Sequence, residues 1–118
     1  MAKQFCASRI GFGAGLILAP GLYGRFWAGP GAGERWSRML ARALGARELA
    51  LGAGGLAALR GTDRQQALQW MLANGLTEAA DVVANLAAGP RTPARLAGAA
   101  LAAANAAIAA AYVTERRG

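Results

Sequence analysis

The chain has 118 residues, 55% of them hydrophobic and only 16% charged, and thirteen Lys and Arg stand against six Asp and Glu for a net charge of +7. That length holds one domain, and a charged share well below the roughly 25% typical of soluble domains leans away from a fully hydrated surface. With one cysteine, Cys6, and no histidine, an intramolecular disulfide and the usual Cys/His zinc and haem sites are excluded, so neither a metal nor a cofactor is expected.

Four apolar segments follow one another. The first covers about residues 5–24 and contains Pro20, which membrane helices tolerate where neighbours re-satisfy the freed carbonyl. Lys3 and Arg9 precede an apolar stretch from Ile10 to Leu22, as in a signal peptide, but no small-x-small cleavage site follows, so a retained span is expected. A Gly- and Pro-rich connection over residues 25–33 offers Phe26 and Trp27 as interface aromatics.

The second helix begins near Glu34, is amphipathic through Trp36, Arg38 and Leu40, and crosses over about residues 41–59. Residues 60–66 form a polar turn. The third segment, about 67–88, has Trp70 near its entry and ends where Gly89, Pro90 and Pro93 cannot continue a helix. The fourth, 94–113, has no charge from Leu96 to Val113 and one strongly polar side chain there, Asn105; Glu115, Arg116 and Arg117 follow as a polar tail.

Spans of about 20 residues each would place about 80 residues in the bilayer. The expected fold is therefore all-α: a transmembrane four-helix bundle of two helical hairpins, one membrane domain over residues 1–118, multi-pass in the cell membrane with the lipid bilayer as its surroundings. An even number of spans puts both termini on the same side. The flanking cations are level, with Lys3, Arg60, Arg64, Arg116 and Arg117 on one side and Arg25, Arg35, Arg38, Arg91 and Arg95 on the other, so orientation stays open. Because the arginines mark the edges of apolar runs and are not interleaved with stacking aromatics, they fit anionic headgroups and not nucleic acid.

The charges inside the segments are the exception. On an insertion scale the five leucines of the second segment return about 2 kcal/mol, whereas Arg47 and Glu48 near its centre cost about 5 to 6 together. Glu78 and Asp81 burden the third in the same way, so these two helices must enter with partners that shield the charges, or the chain is a soluble Ala-rich bundle instead. Asn74, Glu78, Asp81 and Asn85 recur at steps of four, three and four and so share one stripe. Gly45, Glu48, Gly52 and Gly55 form the matching stripe of the second helix, and Gly98, Ala102, Asn105, Ala109 and Tyr112 that of the fourth; in the first, Gly11 and Gly15 make a GxxxG pair. Counted from the turn at about 1.5 Å per residue, Arg47 lies as deep as Asp81, with Glu78 a turn shallower. A buried pair of Arg47 with Asp81 or Glu78 follows. Glu48, about 100° around from Arg47, is expected to face a different neighbour, Arg42 or Arg9.

The candidate ligand or proton site thus comprises Arg47, Glu48, Asn74, Glu78, Asp81, Asn85 and Asn105. Charges within a membrane usually pair with one another, which makes these residues a register-setting cluster; alternatively they line a polar cavity for a proton, ion or small ligand. Because Asp81 matches Arg47 in depth, Glu78 is the proton-site candidate. The glycine-rich runs around Gly11, Gly31 and Gly52 lack the strand-loop-helix context of a phosphate loop. No Ser, Thr or Cys stands beside a plausible base for nucleophilic hydrolysis, and Tyr112 and Trp70 read as interface anchors.

Leu18-Ala19-Pro20 at the end of the first helix, the run from Arg42 to Gly52 with its Arg47-Glu48 pair, and Trp70 followed by Glu78-Ala79-Ala80-Asp81 resemble a family of small four-span membrane proteins of unknown function from bacteria with GC-rich genomes. The resemblance implies a fold and no activity. In size and span count the chain is also similar to small multidrug-resistance transporters, homodimers built around an acidic residue of the first helix, but here that helix carries Arg9 and no acid. Three functions stay open: an interaction or accessory protein, whose partner is a second copy or another membrane protein; a proton-coupled transporter or binding protein using Glu78; and a membrane enzyme with Glu78 and Asp81 as acid and base and Arg47 as an anion clamp.

Overall fold

The computed structural model describes residues 1–22, 35–87 and 92–117. Four α-helices lie wholly within the described residues, α1 (Ala2–Leu18), α2 (Arg35–Arg60), α3 (Arg64–Ala87) and α4 (Pro93–Arg117); residues 20–22 are also helical, and there is no strand among the described residues. The class is all-α, as the 3.6-residue periodicity implies. The interface aromatics Phe26 and Trp27 and the breaker residues Gly89 and Pro90 lie outside the described residues.

Local chemistry sets the ends. The first helix does not run unbroken through Pro20 as expected; it stops at Leu18, Ala19 leaves the helical region at φ −131 and ψ 59, and residues 20–22 are helical again, while residues 23 and 24 of the expected segment lie outside the described residues. A proline ring clashes with a helical residue before it, and that clash expels Ala19. Between α2 and α3 the chain turns in three residues. The amide of Gly61 donates to the carbonyls of Ala57 and Ala58 at 3.0 and 3.2 Å, and the Asp63 carboxylate accepts from the amide of Gln66 at 3.0 Å, capping α3. Thr92 caps α4 in the same manner, its hydroxyl accepting from the amide of Arg95 at 3.3 Å, with Pro93 at the first helical position.

Neighbouring helices run antiparallel. The start of α1, the end of α2, the start of α3 and the end of α4 meet in one apolar cluster of Phe5, Cys6, Met71 and Ala109, with Leu56, Leu59, Ile108 and Tyr112 packed around it. The closest packing is within two pairs, α1 on α2 and α3 on α4, while α2 touches α3 and α1 touches α4 more sparsely. The outer edge of the Trp70 ring, Cη2 with Cζ2 and Cζ3, packs where a side chain of Gly54 on α2 would stand.

The closeness of α1 and α2 has a cause in composition. A Cβ built on Gly13 would fall 2.6 Å from the Gly45 carbonyl oxygen, and one built on Gly45 would fall 2.7 Å from that of Gly13. Backbone meets backbone there. Gly11, the first member of the expected GxxxG pair with Gly15, takes no part in the contact: it is exposed and nothing stands within 4 Å of its Cβ position. The buried stripe of α1 is Cys6, Arg9, Gly13 and Leu16, and Gly11 lies two residues, about 200°, from Gly13 and faces outward.

Large apolar side chains point out of the bundle, among them Leu40, Leu72, Leu76, Val83, Leu96 and Leu101. Of the four expected spans, one helix among the described residues is long and apolar enough to cross a membrane by length and composition, α4 from Pro93 to Arg116, and only 22% of its most apolar stretch is buried. The break at Ala19 cuts α1 to 17 residues, about 25 Å. The second and third helices carry Arg47, Glu48, Glu78 and Asp81 along their lengths.

The close approach makes a direct prediction for two neighbouring glycines. Gly11→Ala should raise the melting temperature, by the about 0.5–1 kcal/mol that alanine gains over glycine in a helix, whereas Gly13→Ala should lower it through overpacking worth about 1–3 kcal/mol. Thermal unfolding of the two variants side by side gives the answer. Equal stabilities would mean that α1 and α2 do not touch at Gly13.

Candidate functional site

Arg9 stands midway along α1 and is 2% exposed. Its position follows from the register of the α1 stripe: Cys6 three residues before and Gly13 four after face the same neighbours, and α1 begins at Ala2, early enough for Arg9 to lie inside the bundle. One terminal nitrogen, Nη2, donates to Oε1 of Glu48 on α2 at 2.9 Å. The other, Nη1, donates to Oε1 of Glu78 on α3. The guanidinium also lies over the Phe5 ring, 5.6 Å from its centre, an attraction between a cation and the electron-rich ring face.

A second arginine extends the chain of charges. Nη2 of Arg47 donates to both carboxylate oxygens of Asp81, at 2.8 and 3.1 Å, and to Oε1 of Glu48 at 3.0 Å. Five side chains therefore alternate in sign: Glu78, Arg9, Glu48, Arg47, Asp81. The first three are dry, with side-chain exposures of 7% for Glu78, 2% for Arg9 and 6% for Glu48, while Arg47 and Asp81, at 39% and 28%, sit at the edge. That gradient decides the energetics. An exposed pair is worth about 0–1 kcal/mol, but stripping one partner from a buried pair costs about 3–5 kcal/mol because an uncompensated charge stays behind.

Asparagines surround the charges. Asn74, fully buried, donates from Nδ2 to the Trp70 carbonyl of its own helix at 2.8 Å and to the Leu51 carbonyl of α2 at 3.3 Å, which binds α3 to α2. Its Oδ1 is buried without a partner, as are Nε of Arg9 and Nε of Arg47. Asn105 approaches the Glu78 carboxylate from α4. The same Asn105 lines an open groove of about 440 Å³ between α1 and α4, with Gln4, Phe5, Ser8 and Ile108. Asn85 stays local, donating to the Asp81 carbonyl one turn back at 2.8 Å.

Six of the seven side chains read from sequence are thus gathered, and the antiparallel depth count brings Arg47 to Asp81 and not to Glu78. Of the two partners open to Glu48, Arg9 takes it. Arg42 is exposed and its Nε donates to the Ile17 carbonyl at 3.4 Å. One expectation is corrected: Glu48 and Arg47 share a neighbourhood after all, because a long arginine side chain folds back around the helix and offsets the 100° between adjacent residues. The central member, Arg9, was missing from the sequence-derived set. Reading the apolar run as starting at Ile10 made it a flanking cation; its stripe with Cys6 and Gly13 was the signal that places it inside.

No family model, curated protein or solved structure matches the chain.

The burial gradient ranks the two arginines. Arg9→Ala should destabilise by about 3–5 kcal/mol, since it strands Glu78 in a dry site and leaves Glu48 with Arg47 alone, and Arg47→Ala by clearly less, because Asp81 can turn to solvent and Glu48 keeps Arg9. Denaturant or thermal unfolding of both variants checks the order. Equal losses, or a larger one for Arg47→Ala, would show that Arg9 does not hold the centre.

Proposed function

We propose that this chain is an integral membrane four-helix bundle whose internal charges clasp the helices together, and that it acts as an interaction or accessory protein. One observation carries the reading: the polarity is inverted, with Arg9, Glu48, Asn74 and Glu78 buried while large leucines and valines face out. A water-soluble bundle has the opposite arrangement, and charges within a bilayer pair toward the bundle interior.

The outward face of α2 supports it further. Ala43, Ala46, Ala50, Ala53 and Ala57 are all exposed and follow one stripe from Arg42 to Arg60. Those two arginines are about 27 Å apart along the axis, close to the roughly 30 Å of a hydrocarbon core. The tight spacing of α1 and α2 through Gly13, Gly45 and Gly52 is the small-residue packing by which helices associate where water supplies no driving force. The likeness to small four-span bacterial membrane proteins points the same way. The cluster is closed by its own contacts, which favours clasp over catalysis: Glu78 and Asp81 each already serve an arginine. Expression of the chain followed by alkaline carbonate extraction tests the reading. It should stay with the membrane pellet and need detergent for release; a stable soluble monomer would overturn it.

A second reading, a proton or small-ligand site at Glu78, has one specific observation in its favour. Three carboxylates share two guanidiniums, and Glu78 stands at the end of the row with a neighbour, Asn105, that opens onto the α1/α4 groove. Glu78→Gln separates the two. As part of a clasp, Glu78 gives up its charge on Arg9 and the variant melts early; as a proton site, the neutral glutamine keeps the fold and removes the wild type's response to pH. Melting curves of both proteins across neutral pH decide, and an early-melting variant beside a pH-indifferent wild type sinks the proton site.

A further inference from the structure

The cations at the two ends of the bundle differ in their company. At the end where α2 begins, Arg35, Arg38 and Arg42 are all exposed and recur at steps of three and four, so they share one stripe, and with Met39 they line a groove of about 420 Å³. Among the described residues no carboxylate lines it, and neither Arg35 nor Arg38 has an ion pair. At the turn end, by contrast, Arg60 and Arg64 flank Asp63, and Arg116 follows Glu115.

Three like charges on one helical stripe repel one another unless an anion lies among them. Guanidinium forks match phosphate oxygens in geometry and bind them through paired, charge-assisted hydrogen bonds. What kind of phosphate is indicated by the surface that continues from the groove: beyond Met39, itself 53% exposed, the same face runs on as exposed Ala43, Ala46, Ala50 and Ala53. A polar head at the arginines would leave acyl chains lying along that uncharged stripe.

We propose that the face of α2 bearing Arg35, Arg38 and Arg42 binds the phosphate of an anionic phospholipid, with Met39 and the alanine stripe beneath it receiving an acyl chain. The proposal rests on the membrane reading, and it assigns these arginines to the lipid and not to the bundle. Because they are exposed and bind no other helix through a side-chain pair, except for the long bond from Arg42 to Ile17, their loss should leave the fold intact.

The experiment measures the melting temperature of detergent-purified protein titrated with dioleoylphosphatidylglycerol, dioleoylphosphatidylcholine or inorganic phosphate. Phosphatidylglycerol should raise it saturably, the zwitterionic lipid much less, and inorganic phosphate not at all. Each Arg→Gln change in R35Q, R38Q and R42Q should weaken the phosphatidylglycerol response about fivefold, and the triple variant should lose it. Arg60→Gln with Arg64→Gln, which removes two charges at the other end, should keep it. A response untouched in the triple variant, or matched by inorganic phosphate, overturns the proposal. Carbonate extraction of the triple variant keeps the two readings apart: it should still pellet with membranes, so that a failed lipid response with retained sedimentation condemns the headgroup site alone.

Discussion

The fold hangs on a single buried cation. Arg9 brings one guanidinium to a carboxylate on α2 and another on α3, so three helices share one point of contact that tolerates neither a shift along an axis nor a rotation. Apolar side chains slide past one another at small cost, but an arginine displaced by one helical turn loses both partners in a site without water. Such a group adds less to net stability than its Coulomb attraction implies, because desolvation offsets much of it. Its clearer effect is to make every alternative register expensive.

That constraint depends on the glycines around it. Gly13 and Gly45 face each other one turn along from Arg9, and Gly52 lies against the Cys6 carbonyl and the Arg9 Cβ. Without side chains there, α1 and α2 approach until Arg9 needs only its own length to reach Glu48 beside it and Glu78 beyond. The looser contact between α2 and α3 is then bridged by long polar side chains, Arg47 to Asp81 and Asn74 to the Leu51 carbonyl. Small residues and charged ones divide the work: the first bring one pair of helices into contact, the second tie that pair to the other.

Much of this was readable in the sequence because helical periodicity is insensitive to the environment. The four segments, the stripe of Asn74, Glu78, Asp81 and Asn85, and the depth match of Arg47 with Asp81 all follow from 3.6 residues per turn. Three features were not legible. The stop at Leu18 depends on how Pro20 acts on Ala19, and membrane helices often absorb a proline. The choice of Gly13 over Gly11 depends on which face of α1 is buried, and a helix rich in apolar residues on every side carries almost no directional signal. Arg9, named in sequence only as one of two partners open to Glu48, stayed outside the site for the same reason. Its stripe with Cys6 and Gly13 hints at an inward face, but the choice between Arg9 and Arg42 is settled only by contacts between helices.

The clasp also has a position in time. Arg9 is 39 residues from Glu48 and 69 from Glu78 along the chain, so a growing polypeptide carries the arginine for a long stretch of synthesis before both of its carboxylates exist. The first hairpin can satisfy it in part; the second acid arrives only past the middle of α3. Until Glu78 is made, the arginine has one of its two carboxylates, and its set of partners is complete only when the second hairpin docks on the first.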